Sequence, residues 1–201
     1  MVTSGPEVHV PHADDREDWD DATLVGRSAS GDDQSFAVLV RRYQGPLFRH
    51  ALRLVQDRRT AEDVVQEAFL TAWRRLAGLE RAESFRSWLY QITTRRSIDV
   101  LRARRPEDPL DTLGAAAEPP APGPGPETRF EQREQLVDLA SALQTLPVTQ
   151  RAAWTLREID ELSYEEVAAA LDLPVSTVRG RIARARRELA ERMGAWQTTR
   201  D

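Results

Sequence analysis

Residues 106–126 read PEDPLDTLGAAAEPPAPGPGP, a run of Pro, Gly, Ala and acids with no apolar periodicity. Proline removes a backbone donor and the remaining residues offer nothing to bury, so such a run cannot continue a helix or a sheet and stays extended and solvated. It splits the 201-residue chain into two modules, each able to build only a modest core. We assign residues 106–130 to this linker, 21–105 to a first module and 131–195 to a second. Residues 1–20, acidic and poor in apolar side chains, are expected to form a disordered tail.

Neither module shows sustained period-two alternation bounded by hairpin turns, so the fold class expected is all-α, two small helical domains joined by a flexible linker. Phe36, Leu39, Val40, Tyr43 and Leu47 recur at helical spacing and continue to Leu52 and Val55, which predicts a helix interrupted or kinked at Pro46. A second helix is expected to start at Thr60, with Asp63 completing a Thr-x-x-Asp capping box. Its inward stripe runs through Val64, Val65, Ala68, Phe69, Ala72, Trp73 and Leu76. A third spans about Ser84 to Arg105. After the linker come a helix over Phe130–Leu146, another started by Pro147, and a third capped by Ser163 with Glu166.

The net charge of -5 conceals a strong partition. Residues 1–33 carry 2 Arg against 9 acids (net -7) and residues 34–105 carry 15 Arg against 7 (net +8). Residues 106–130 carry 1 against 5 (net -4), and residues 131–201 carry 10 against 12 (net -2). The first module is therefore basic, and Arg179 to Arg192 concentrates six Arg in the second, the distribution expected of modules that meet nucleic acid. There is no cysteine, which excludes disulfides and thiolate metal sites, and no apolar run long enough for a membrane span, so a cytoplasmic protein without membrane insertion is expected. No phosphate-cradling glycine loop or metal-ligand cluster is present, and the three His, at positions 9, 12 and 50, suggest no base–nucleophile pair. We therefore expect no catalytic residues, no metal and no cofactor.

Three constellations remain. Val167, Ala168 and Leu171, the turn Asp172-Leu173-Pro174, and Val175 to Arg187 with Val178 and Ile182 inward have helix-turn-helix anatomy: a small residue at the crossing, a turn residue tolerant of the left-handed region, and polar groups opening the second helix. Ser176, Thr177, Arg179, Gly180, Arg181 and Arg184 would face base edges or phosphates, with Arg186 and Arg187 on phosphate; a helical hairpin with a solvated Arg face is the plainer alternative. Phe85, Trp88 and Tyr90 interleave with Arg81, Arg86, Arg95 and Arg96, a mixture suited to unstacked single strands or, equally, to an aromatic core. Asp63, Gln66 and Glu67 lie opposite the apolar stripe of their helix, as an acidic docking face or merely a solvated one.

Taken together, RTAEDVVQEAFLTAWRRL, FRSWLYQITTRRSIDVLRARR and LPVTQRAAWTLREIDELSYEEVAAALDLPVSTVRGRIARARREL resemble, in order and spacing, the extracytoplasmic-function sigma factors of the sigma-70 family. The resemblance covers about residues 21–105 and 131–192. It implies an RNA polymerase sigma factor that binds core polymerase and directs promoter-specific initiation. The first domain would dock on the clamp helices of the largest subunit and recognise and melt the minus-ten element; the second would read the minus-thirty-five element and meet the beta flap. Carried over by motif, Asp63, Gln66 and Glu67 fall in the polymerase-docking block, and Trp73 is expected to buttress that helix from inside. Phe85, Trp88, Arg95, Arg96 and Asp99 fall in the minus-ten blocks, and Ser176 to Arg187 in the minus-thirty-five helix. The resemblance also implies an anti-sigma partner. Two positions depart from the family pattern: Arg95 stands where many members have Asn, and Asp172 where Gly is common in the turn. A helix-turn-helix regulator that is not a polymerase subunit is the alternative; it would leave the docking helix and the basic aromatic helix without a purpose.

Overall fold

The computed structural model describes residues 13–103 and 139–199, and the described residues are helices and connecting turns with no strand. The linker at 106–130 lies outside them, as does most of the helix expected over Phe130–Leu146.

In the first module α1 (Asp21–Ala29) is capped by Asp20, whose carboxylate accepts from the Thr23 amide at 2.7 Å. Helix α2 (Asp33–Val55) begins at Asp32, α3 (Arg58–Arg75) at Asp57, and α4 spans Phe85–Ala103. In each capped case a short acidic side chain satisfies amides that the first turn would leave unpaired. The start of α3 corrects the reading of Thr60 as the cap: Asp57 accepts from the Thr60 amide at 2.8 Å, and Thr60 is buried inside the first turn.

Pro46 does not interrupt α2, which runs as one helix on both sides of it. A helical proline clashes with the Cβ of the residue before it, and here that residue is Gly45, which has none. Burial of Leu39, Tyr43, Leu47, Ala51 and Leu54 on one face then outweighs the roughly 3 kcal/mol a proline costs in a helix. Residues 13–20 of the expected tail are structured, while residues 1–12 lie outside the described residues. Residues Ala13–Asp18 form a 3-10 turn, Arg16 is buried with its guanidinium 3.5 Å from Asp32, and Trp19 packs against the core. Arg42 on α2 donates to the Glu17 and Trp19 carbonyls at 3.0 and 2.9 Å, so the cations of α2 order a segment too polar to order itself.

The second module comprises α5, described over residues 139–145, then α6 (Val148–Glu158), α7 (Tyr164–Leu171) and α8 (Val175–Thr199). Ser163 and Glu166 close the expected capping box, with Ser163 N donating to Glu166 at 2.7 Å and Glu166 N to Ser163 at 3.1 Å. Asp172 takes the left-handed conformation (φ 56°) between α7 and α8. The two modules share one contiguous core: Leu54, Leu89 and Tyr90 of the first belong to the same buried cluster as Ala152, Leu156, Val167 and Ile182 of the second. Among the described residues no helix is long and apolar enough to cross a membrane.

Candidate functional site

Three surfaces carry the residues singled out in the sequence. On α3, Asp63, Gln66 and Glu67 are all exposed while Val64, Val65 and Ala68 are buried, so helical periodicity separates an acidic face from an apolar one. Glu67 is engaged: its carboxylate accepts from Arg96 on α4 at 2.6 Å. Trp73 departs from expectation, because it is 40% exposed and does not support α3 from inside. Its ring lies 4.8 Å from that of Phe36, and with Phe69 and Leu70 it lines an open groove of about 890 Å³ between α2 and α3, rimmed by Asp33, Glu62 and Gln66. Leu70 (48% exposed) and Trp73 are the large exposed apolar side chains of the described residues, and they sit together. An apolar patch with a polar rim is a surface awaiting a partner.

On α4 the three aromatics separate. Phe85 is fully buried, in edge contact with Tyr43, and Tyr90 is buried against His50, so neither offers a face for a base in this conformation. Phe85 is a core residue that backs Trp88, whose ring centroid is 6.2 Å away. Trp88 is half-buried and lines a cleft with Arg74, Arg75 and Leu79, so two cations of α3 share its cleft, which the pattern of α4 alone did not reveal. Arg95, Arg96 and Asp99 are exposed; Arg95 lies 3.5 Å from the carboxylate of Asp172 in the second module.

The third surface opens α8. Val178 and Ile182 point inward as expected, Ala168 lets α7 pass close, and Ser176, Arg179, Arg184 and Arg187 are exposed, with Thr177, Gly180 and Arg181 half-buried. Three cations gather there that no residue pattern brought together. Arg157 and Arg179 both lie over the Tyr164 ring, at 4.8 and 5.2 Å from its centroid, and Arg186 bonds Glu158 at 2.7 Å. The aromatic face holds both guanidinium groups at a fixed place; Arg157 there donates to the Leu162 carbonyl at 2.8 Å, and Arg179 is exposed.

The sequence suggested no partner for its histidines, yet His50 has two. Its Nδ1 lies 2.6 Å from Asp160 Oδ2 and its Nε2 2.8 Å from Thr94 Oγ1. A carboxylate only accepts, so Nδ1 carries the hydrogen. His50 and Thr94 are both fully buried, so this hydroxyl–imidazole–carboxylate chain is closed to any substrate and joins the two modules.

The descriptions Sigma-70 region 2 and Sigma-70, region 4 match residues 39–107 and 136–189, respectively. The chain is 39% identical over 174 residues to the ECF RNA polymerase sigma-E factor of Escherichia coli (strain K12), covering 83% of this chain and 90% of that one. The chain belongs to the extracytoplasmic-function sigma factors. With the RNA polymerase sigma-H factor of Pseudomonas aeruginosa it shares 38% identity over 173 residues, again over 83% and 90% of the two chains. Among solved structures it resembles CnrH in complex with the cytosolic domain of CnrY (31% identity, TM-score 0.65, 87% of this chain and 97% of that one). It also resembles the sigma factor RpoE in complex with the anti-sigma factor NepR from Bartonella quintana (25%, 0.67, 80% and 98%). As an extracytoplasmic-function sigma factor it binds core RNA polymerase and directs promoter-specific initiation, and its helix-turn-helix unit is the region 4 half of that machine.

Proposed function

We propose that this sigma factor docks on core polymerase through α3, with Asp63, Gln66 and Glu67 meeting basic groups of the largest-subunit clamp helices and the groove of Phe36, Leu70 and Trp73 taking apolar side chains. The observation that carries this reading is the placement of the exposed Leu70–Trp73 pair on the same helix as the acidic face. Obligate or tight interfaces combine such an apolar anchor with a polar rim. The second domain meets the beta flap.

Trp88, flanked by Arg74 and Arg75, receives an unstacked minus-ten base, with Arg95, Arg96 and Asp99 along the same helix; Phe85 supports Trp88 from the core. Ser176, Thr177, Arg179, Gly180, Arg181, Arg184 and Arg187 read the minus-thirty-five element and its phosphates. The domain limits we adopt are 21–105 and 131–195. The factor acts in the cytoplasm without catalysing a reaction of its own. The likeness to a sigma factor solved with an anti-sigma factor supports a similar inhibitory partner for this chain.

Run-off transcription with purified core polymerase and a genomic promoter library tests the reading. Promoter-specific transcripts are expected with the wild type and are expected to be lost with Asp63→Arg/Glu67→Arg and sharply reduced with Trp73→Ala. Full activity of both variants would overturn the docking assignment.

A further inference from the structure

The arginines of α8 are not all held alike. Among the described residues Arg179, Arg181, Arg184 and Arg187, all proposed to face the minus-thirty-five element, meet no carboxylate, and Arg192 meets Glu188 of its own helix at 3.8 Å. Arg186, expected beside Arg187 on phosphate, is tied to another element instead. Its Nη2 donates to Oε1 of Glu158, the last residue of α6, at 2.7 Å. Two helical turns separate it from Arg179, so it lies on the same side of α8 as the guanidinium that covers Tyr164.

The Glu158–Arg186 pair gives the fold little. Its side chains are 30% and 52% exposed, and ion pairs in such solvent contribute little to stability. The two helices are already joined by apolar packing: Leu156 of α6 and Ile182 of α8 share one buried cluster, and Trp154 packs against Ala185 and Leu189. A carboxylate on the last residue of a helix also lies against the helix dipole, the place where a negative charge is least favourable. What the pair does accomplish is to occupy a cation. A carboxylate presents paired oxygens to a guanidinium much as a phosphate does.

We infer that Glu158 is an internal stand-in for a DNA phosphate, a positioning residue that holds Arg186 back from the duplex and so lowers affinity for DNA of any sequence. The inference rests on the reading of α8 as the helix that meets the duplex. To reach a phosphate, Arg186 must leave Glu158, and the bared carboxylate then faces the like charge of the backbone. Phosphate contacts carry no sequence information, so weakening one leaves base contacts a larger share of the total. A chain that meets a great excess of non-promoter DNA is thereby less retained on it.

Anisotropy titrations of the full-length chain with two labelled duplexes of equal length, a promoter fragment and its scrambled counterpart, test this across 50–200 mM salt. Glu158→Gln is expected to bind both about three- to fivefold more tightly. Its log affinity should also fall more steeply with log salt, by about 0.9, the mark of one more phosphate neutralised. Arg186→Gln should change little by itself and should cancel the gain in Glu158→Gln/Arg186→Gln. Glu158→Asp, which keeps the charge but draws it back by one methylene, should give a smaller gain with the same dependence on Arg186. Circular dichroism melts of all these variants should follow the wild type.

A gain that survives in the double variant comes from net charge alone and overturns the stand-in. An unchanged salt slope in Glu158→Gln does the same, as does an Arg186→Gln loss equally large with and without Glu158, since Arg186 would then already be on phosphate. Arg184→Gln/Arg187→Gln separates the two readings. Weaker binding by that variant, with no gain from either Glu158 variant, overturns the stand-in alone, whereas wild-type binding removes α8 from the duplex and takes the stand-in with it.

Discussion

Side chains proposed to read DNA are held in place by side chains that are not. Arg179 leans on Tyr164, which Arg157 also covers, so the ring confines two long cations that would otherwise lose rotamer freedom on binding. Tyr164→Leu is expected to weaken promoter binding by about 1 kcal/mol, roughly fivefold, whereas Tyr164→Phe, which keeps the ring, should hold wild-type affinity. Titration of a labelled promoter fragment into the holoenzyme measures both, and equal losses would assign the effect to the hydroxyl. The sequence could not show this trio, because Arg157 sits on α6 while Tyr164 opens α7 and Arg179 lies on α8. It placed the Arg-rich face of α8 correctly on helical periodicity. In α4 it could not tell which aromatic is core: Phe85 and Trp88 are three residues apart, and burial of one and half-exposure of the other depend on what packs above them.

Local signals were read well wherever one residue decides the geometry. Ser163 with Glu166 had to start a helix and Asp172 had to turn one, and both do. They were misread where two neighbours competed. Asp57, whose side chain accepts from the Thr60 amide, takes the cap from Thr60, and α2 runs on uninterrupted through Pro46, whose preceding Gly45 has no Cβ to meet the ring. Helix α8 offers a test at this scale. A Cβ built on Gly180 would meet only the Arg184 guanidinium at 3.6 Å, an ordinary contact, so Gly180→Ala should raise stability in urea by about 0.5–1 kcal/mol. The same methyl group would stand on the surface proposed to face the minus-thirty-five duplex, and on that reading promoter affinity should fall. Gains in both would remove Gly180 from the DNA face.

At the level of the molecule, the division into two helical halves followed from one proline-rich run and the partition of charge. The seam between the halves was not legible. His50 and Asp160 are 110 residues apart, and an isolated histidine in an apolar stripe carries no mark of the carboxylate it will meet. Polar residues that meet only in the folded chain leave no periodicity to find.

Asp172 brings a last consequence. It bears two opposed duties, a left-handed turn that an L-residue adopts at a cost and a tie to Arg95. Asp172→Gly would relieve the first by about 0.5–1 kcal/mol and forfeit a solvent-exposed ion pair worth about 0–1 kcal/mol. Heat denaturation of this variant should therefore match the wild type, although the tie from α4 to the turn before α8 would be gone. A substitution that thermal scanning would score as silent would still remove one of the ties between the two helical halves, so selection could trade the turn against the tie without touching stability.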